Sequence, residues 1–202
     1  REHVRYNRML EDQGYPAARL ERRIEEYLKR VSQEIPLRRQ LAATCALEHF
    51  TALMGDALLS DPRVLAGADR EMAALWRWHA AEENEHKAVA FDLYQRAGGT
   101  YLERVRTMAL ATIAFWFLVV DQQVRLMKAD GCLLSATEWS SLFVFLFVKP
   151  GSLRRLGRNY FRYYRPNFHP WQIDNRALLD AWRASNASDD QTRARQSGAD
   201  AR

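Results

Sequence analysis

Hydrophobic positions recur at three- and four-residue intervals along almost the whole chain, and no run alternates apolar and polar residues as a half-buried strand would. Gly and Pro fall at the interruptions. Residues 3–12 read as a helix stopped by Gly14 and Pro16, and residues 16–33 as a charged helix with Pro16 at its start. Pro36 begins a long helix to about residue 59, ended by Ser60, Asp61 and Pro62. Ala68 and Asp69 open a helix that continues to about residue 96 and stops at Gly98 and Gly99. Another covers about 100–128 and breaks at Asp130 and Gly131. Residues 135–148 form a short apolar helix closed by Pro150 and Gly151. A basic helix over about 152–164 leads to Arg165 and Pro166, and Asp174 caps a last helix to about residue 185. From Asn186 onward Ser, Asp, Arg, Gln and Gly follow without apolar periodicity, the composition of a disordered tail over 186–202. The pattern predicts an all-α fold: one helical domain over 1–185, an antiparallel bundle with additional helices on its C-terminal side.

The chain's 202 residues suffice for one domain with its own core, and 48% apolar with 27% charged residues is a globular balance. The chain opens on Arg1 rather than Met, so it reads as a piece whose natural start lies upstream. The net charge of +5 is spread as interleaved signs along helices, as at Arg19, Arg22 and Arg23 beside Glu21, Glu25 and Glu26. No nucleic-acid motif accompanies it, so no nucleic-acid partner is expected. Cys45 and Cys132 lack paired spacing, which excludes a thiolate zinc motif and points to packed thiols in the cytoplasm.

The chemistry concentrates in Trp76-Arg-Trp-His79-Ala-Ala-Glu82-Glu83-Asn-Glu85-His86-Lys. At about 100° per residue, His79, Glu82, Glu83 and His86 share an arc of roughly 100°, on the stripe that also carries Met72, Leu75, Ala90 and Leu93. Carboxylates turned into a core are costly unless neutralised, and a divalent cation neutralises them directly. A Glu-x-x-His step is the repeating unit of carboxylate-bridged two-metal sites in helical bundles. A hydrogen-bonded core network and a solvated charged face are the bland alternatives. Glu48 and His49 are the strongly polar residues of an otherwise apolar helix interior. They point about 100° apart, and Glu48 is the favoured ligand because Thr44, Ala52 and Gly55 leave room beside it. His3, near the start, is a weaker candidate of the same kind.

These segments resemble a bacterial family of predicted metal-dependent hydrolases related to ferritin-like proteins. The resemblance rests on Ala46-Leu47-Glu48-His49-Phe50-Thr51, on Trp76 to Asp92 around the central motif, and on Phe168-His169-Pro170-Trp171, and it runs from the start to about residue 175. It implies a ferritin-like bundle. It also implies an upstream helix with a Glu, and a further Glu-x-x-His just before Arg1. Glu48 would then be the single carboxylate of its helix, Glu83 and His86 the second Glu-x-x-His, and His3 would follow the missing pair. On that reading the chain holds about half of a two-metal site.

Two metals could make hydroxide for hydrolysis, whereas two irons in the same cage could activate dioxygen. The expected cofactor is a divalent metal, iron or manganese by its Glu and His ligands, with zinc also compatible, as one ion or two. Three readings stand: a metal-dependent hydrolase, a di-iron oxidase or oxygenase, and a non-enzymatic membrane-associated bundle. Residues 108–120 are uncharged and residues 140–148 nearly all apolar, each shorter than the roughly 20 residues that span a bilayer. They suit a core, a homodimer face, or peripheral contact with a membrane surface through the basic aromatic segment that follows. An apolar or lipid-like small-molecule substrate is the matching expectation. His169 is expected to fix a turn, Pro170 holding its backbone extended.

Overall fold

The computed structural model describes the backbone of residues 2–199 and the side chains of residue 4 and of residues 6–187; His3 lies outside those side chains. Helices α1 (Glu2–Asp12) and α2 (Ala17–Glu34) lead into α3 (Leu37–Ser60), α4 (Arg70–His86), α5 (Val89–Arg96) and α6 (Tyr101–Ala129). They are followed by α7 (Ala136–Phe147), α8 (Ser152–Arg162) and α9 (Arg176–Ala199). Short 3-10 turns lie at Pro62–Leu65 and Pro170–Gln172, and no strand occurs among the described residues. The fold is all-α.

The helix starts follow their caps. Asp69 accepts the amides of Glu71 and Met72, Thr100 that of Glu103, and Ser135 that of Glu138. The last two are Ser/Thr-x-x-Glu spacings, which relieve the unpaired first-turn N–H groups. α9 continues to Ala199, past the boundary near 185 that the loss of apolar periodicity suggests.

α3 is the hub, packed against α4, α5, α6 and α8. Thr51 meets Glu83 and Gly55 meets Ala80, so α4 runs antiparallel to α3. Arg38 meets Glu103 and Phe50 stacks on Phe115, so α6 runs parallel to it. Tyr160 lies against Phe50 and Arg155 reaches Asp61, so α8 returns antiparallel. The core between them holds Cys45, Phe50, Leu53, Phe91, Tyr94, Met108, Tyr163 and Phe168. α7 stands apart, packed chiefly on α8, with none of its residues buried.

The single helix expected over 69–96 is two. The chain turns at Lys87 and Ala88, where Lys87 passes into the interior (5% exposed). Its Nζ donates to the carbonyl of Ile173 at 2.6 Å and to Asn175 Oδ1 at 2.8 Å, tying α4 to the segment before α9. Asn175 in turn donates to Asp56 Oδ1 at 3.0 Å and to Asn84 Oδ1. Burial lowers the Lys87 pKa, with Asp56 and Asp174 opposing it.

Candidate functional site at the α3–α4 seam

The two helices approach closely because one residue has no side chain. A Cβ at Gly55 would lie 2.8 Å from the Ala80 carbonyl oxygen and 2.8 Å from Asn84 Nδ2. The buried face of α4 is accordingly made of Ala73, Ala80, Ala81 and Asn84. This corrects the expected placement in two ways. The room beside Gly55 is filled by the Ala80 backbone and the Asn84 side chain of α4, and the acidic and imidazole side chains sit on the shoulder of that face rather than at its centre. Leu93, expected on the same inward stripe, is exposed. Small residues win the contact because they allow the closest backbone approach.

On that shoulder Thr51 Oγ1 donates to Glu83 Oε2 at 2.5 Å, and His79 Nε2 lies 3.4 Å from Glu83 Oε1. Glu83 and His79 are about three-quarters buried. Glu48, one turn before Thr51, is half-buried. Burial raises its carboxyl pKa; the Ala90 amide at the start of α5 opposes this, the Glu83 charge adds to it, and His86 counteracts it. Glu48 Oε2 is buried with no hydrogen-bond partner among the described residues. The seam therefore brings Glu48, Glu83, His79 and His86 into one electrostatic neighbourhood. His86 is exposed, and Glu82 is half-buried without a hydrogen bond to the others.

A divalent cation suits these donors chemically: a carboxyl at Glu48 whose proton affinity burial and the Glu83 charge raise, a second carboxylate and imidazoles beside it, and one buried oxygen lacking a donor. The side chains do not stand in a closed cage, and among the described residues no group of three or more Asp, Glu, His or Cys converges at ligating distance. Glu83 is held by Thr51 at one oxygen and faces His79 at the other.

The other candidates separate from this place. His49 points about 100° round α3 from Glu48, 4% exposed, packed on the rings of Tyr163 and Phe168. Burial pushes its pKa down to about 4, the Asn159 and Tyr160 carbonyls opposing and the Arg104 and Lys87 charges assisting. It is a core histidine, removed from the Glu48 side by the helix geometry anticipated above. His169 has a structural part: Nδ1 accepts the Trp171 amide, so Nε2 carries the proton it donates to Asp92 Oδ1 at 2.8 Å. Glu85 is exposed and pairs with Arg183. Cys45 is a buried free thiol pushed up to about 12 by burial.

One feature beside the seam has no signature in the periodicity. A cavity of about 430 Å³ runs from Glu83, His79 and Thr51 between α3, α4, α6, α7 and α8. Beyond those polar groups its walls are almost wholly apolar, including Met54, Leu58, Phe115, Val119, Phe145 and Leu156. Thr51, which orients Glu83, likewise carries no sequence signal: a Thr in an apolar helix reads as filler.

No curated protein and no solved structure matches the chain. A family model described as "predicted metal-dependent hydrolase" matches residues 1–174, covering α1 to α8, the α3–α4 seam and the cavity beside it. The chain belongs to that family of predicted metal-dependent hydrolases.

Proposed function

We propose that the protein is a hydrolase that works with a divalent metal held at the α3–α4 seam by Glu48, Glu83 and His86. The observation that carries this reading is the buried, unpartnered Glu48 Oε2 within electrostatic reach of a second carboxylate. Burial and the Glu83 charge both disfavour the ionised Glu48, and a bound cation would offset them. His79, beside Glu83 Oε1, orients that carboxylate, as outer partners of metal ligands do. Glu82 is held in reserve as an auxiliary ligand. Iron or manganese matches the Glu and His donors, with zinc also compatible. When bound, the metal supplies Lewis acidity for polarising a substrate oxygen and acidifying water. The chain's own part is to fix the Glu83 carboxylate, through Thr51 and His79, at the polar end of an apolar cavity.

Metal analysis of the purified protein, with melting curves in added iron(II), manganese(II) or zinc(II), tests this. The expected result is bound metal and a raised melting temperature, both lost in Glu48→Gln and Glu83→Gln. No bound metal and no shift with any of the three would end the assignment. Oxygen uptake with a reductant, in place of ester or amide turnover, would move it from hydrolysis to oxidation.

A further inference from the structure

The uncovered apolar surface lies on α6 and α7. Leu110, Ile113, Phe117 and Val120 form one stripe along α6 at alternating three- and four-residue spacing, exposed by 67%, 69%, 71% and 54%. α6 is long and apolar enough to cross a bilayer, yet only 11% of its apolar window is buried. α7 is apolar on nearly every face, with Phe143, Val144, Phe147 and Val148 outward at its C-terminal end. A helix of that composition belongs in a core or in lipid, and patches of this kind mark interaction sites.

The charge beside this surface identifies the partner. Lys149 sits at the turn after α7, and Arg154 and Arg158 line the outer face of α8; all three are exposed. No ion pair among the described residues engages them. Arg155, by contrast, is held by Asp61, and Arg162 by Asn159 and the Gln172 carbonyl. Phe161, 68% exposed, lies on the same outer face as Arg158. Apolar side chains with a cationic rim are the pattern of a helix lying in an anionic lipid interface. A second copy would present an equally cationic rim and bring like charges together. α6 is taken to lie along the leaflet rather than across it, because Arg104, Thr107 and Met108 near its start are buried and Phe115 stacks on Phe50 of α3. α7, at about 18 Å, is too short to cross.

The cavity connects this surface to the seam. Phe145 and Val119 both line it and are each 38% exposed, so its mouth opens between α7 and α6. Its volume is within the range of small-molecule sites. We propose that the α6–α7 face docks on an anionic lipid leaflet and that the cavity admits an acyl-chain lipid from it, ester or amide end towards Glu83. An uncharged carbonyl end suits a place with two carboxylates better than an anionic one. The substrate half of this rests on the hydrolase reading; the docking half does not.

The test uses the full chain and vesicles of phosphatidylcholine with or without phosphatidylglycerol. The protein is expected to float with the phosphatidylglycerol vesicles and to be released by salt. Arg154→Ala with Arg158→Ala should weaken that binding about thirtyfold. Phe143→Ser with Phe147→Ser should abolish it at an unchanged melting temperature. Absence of flotation, or equal flotation by both variants, overturns the docking. So does a stable dimer by light scattering that does not float and becomes monomeric in Ile113→Glu with Phe117→Glu. For the cavity, a pyrene-labelled monoacylglycerol should bind the wild type and lose binding in Leu153→Trp and in Leu146→Trp, each still floating. Undiminished binding in both overturns the lipid cavity. Both readouts work on metal-free protein. Their failure with metal stabilisation intact sinks this inference alone, and loss of metal stabilisation with flotation intact sinks only the hydrolase reading.

Discussion

The Thr51 hydroxyl donates to Glu83 Oε2 at 2.5 Å, across the seam between α3 and α4, and so holds the carboxylate of one helix from a side chain of the other. Thr51 Oγ1 also lies 3.2 Å from the Glu48 carbonyl, but its single proton goes to the stronger, charged acceptor. The orientation of Glu83 is thus tied to the residue one turn beyond Glu48. Thr51→Val should lower stability by about 1 kcal/mol, and Thr51→Ser should restore it, read as urea midpoints. In the proposed site, Thr51→Val should also weaken metal binding, since Glu83 then lacks its support.

Glu48→Gln separates the two roles of that residue by sign. Burial and the Glu83 charge raise the Glu48 pKa above its ordinary 4.5. The group therefore favours the folded state below that value, and this contribution is lost as pH rises through the raised pKa. At neutral pH the metal-free Glu48→Gln protein should have a higher urea midpoint than the wild type. With metal added, the order should reverse.

His49 predicts acid sensitivity of the opposite kind. Its folded pKa of about 4 lies below the ordinary 6.5, so the neutral ring's contribution is present above 6.5 and is lost as pH falls towards 4. Between about pH 7 and about pH 5 the wild type should lose about 2 kcal/mol from this group. His49→Phe should flatten that part of the stability profile, whatever its own starting stability. An unchanged slope would mean that the ring is protonated inside the fold.

Lys87→Met should cost about 3 kcal/mol, because the Ile173 carbonyl and Asn175 Oδ1 lose their donor and Asp56 its nearest cation. Limited proteolysis should then cut between Tyr163 and Asn175 first, since Lys87 makes two of the bonds that hold the end of that segment at the C-terminus of α4.

The helices were legible because their boundaries are chemical. Asp69, Thr100 and Ser135 cap with their own side chains, and the breaks fall where Gly98, Gly131 and Gly151 adopt positive φ. Glu48 was legible because a carboxylate in an apolar helix stands out, and Glu83 because it shares a helix face with His79 and His86. Lys87 was not: beside three glutamates it reads as part of a charged surface, and its partners lie 86 and 88 residues away. Nor was the identity of the packing face, because alanines at 73, 80 and 81 carry almost no hydrophobic signal, yet they decide how near two helices come. The cavity depends on five helices at once and has no local trace.

Gly55 gives the seam a calliper-like quality. With Gly55 resting on the Ala80 main chain and on the Asn84 amide that is pinned to it, the gap spanned by the acidic pair is gauged by fixed atoms rather than by a free rotamer. Even one added methyl at position 55 would act as a shim, prising the jaws apart while leaving both carboxylates chemically untouched.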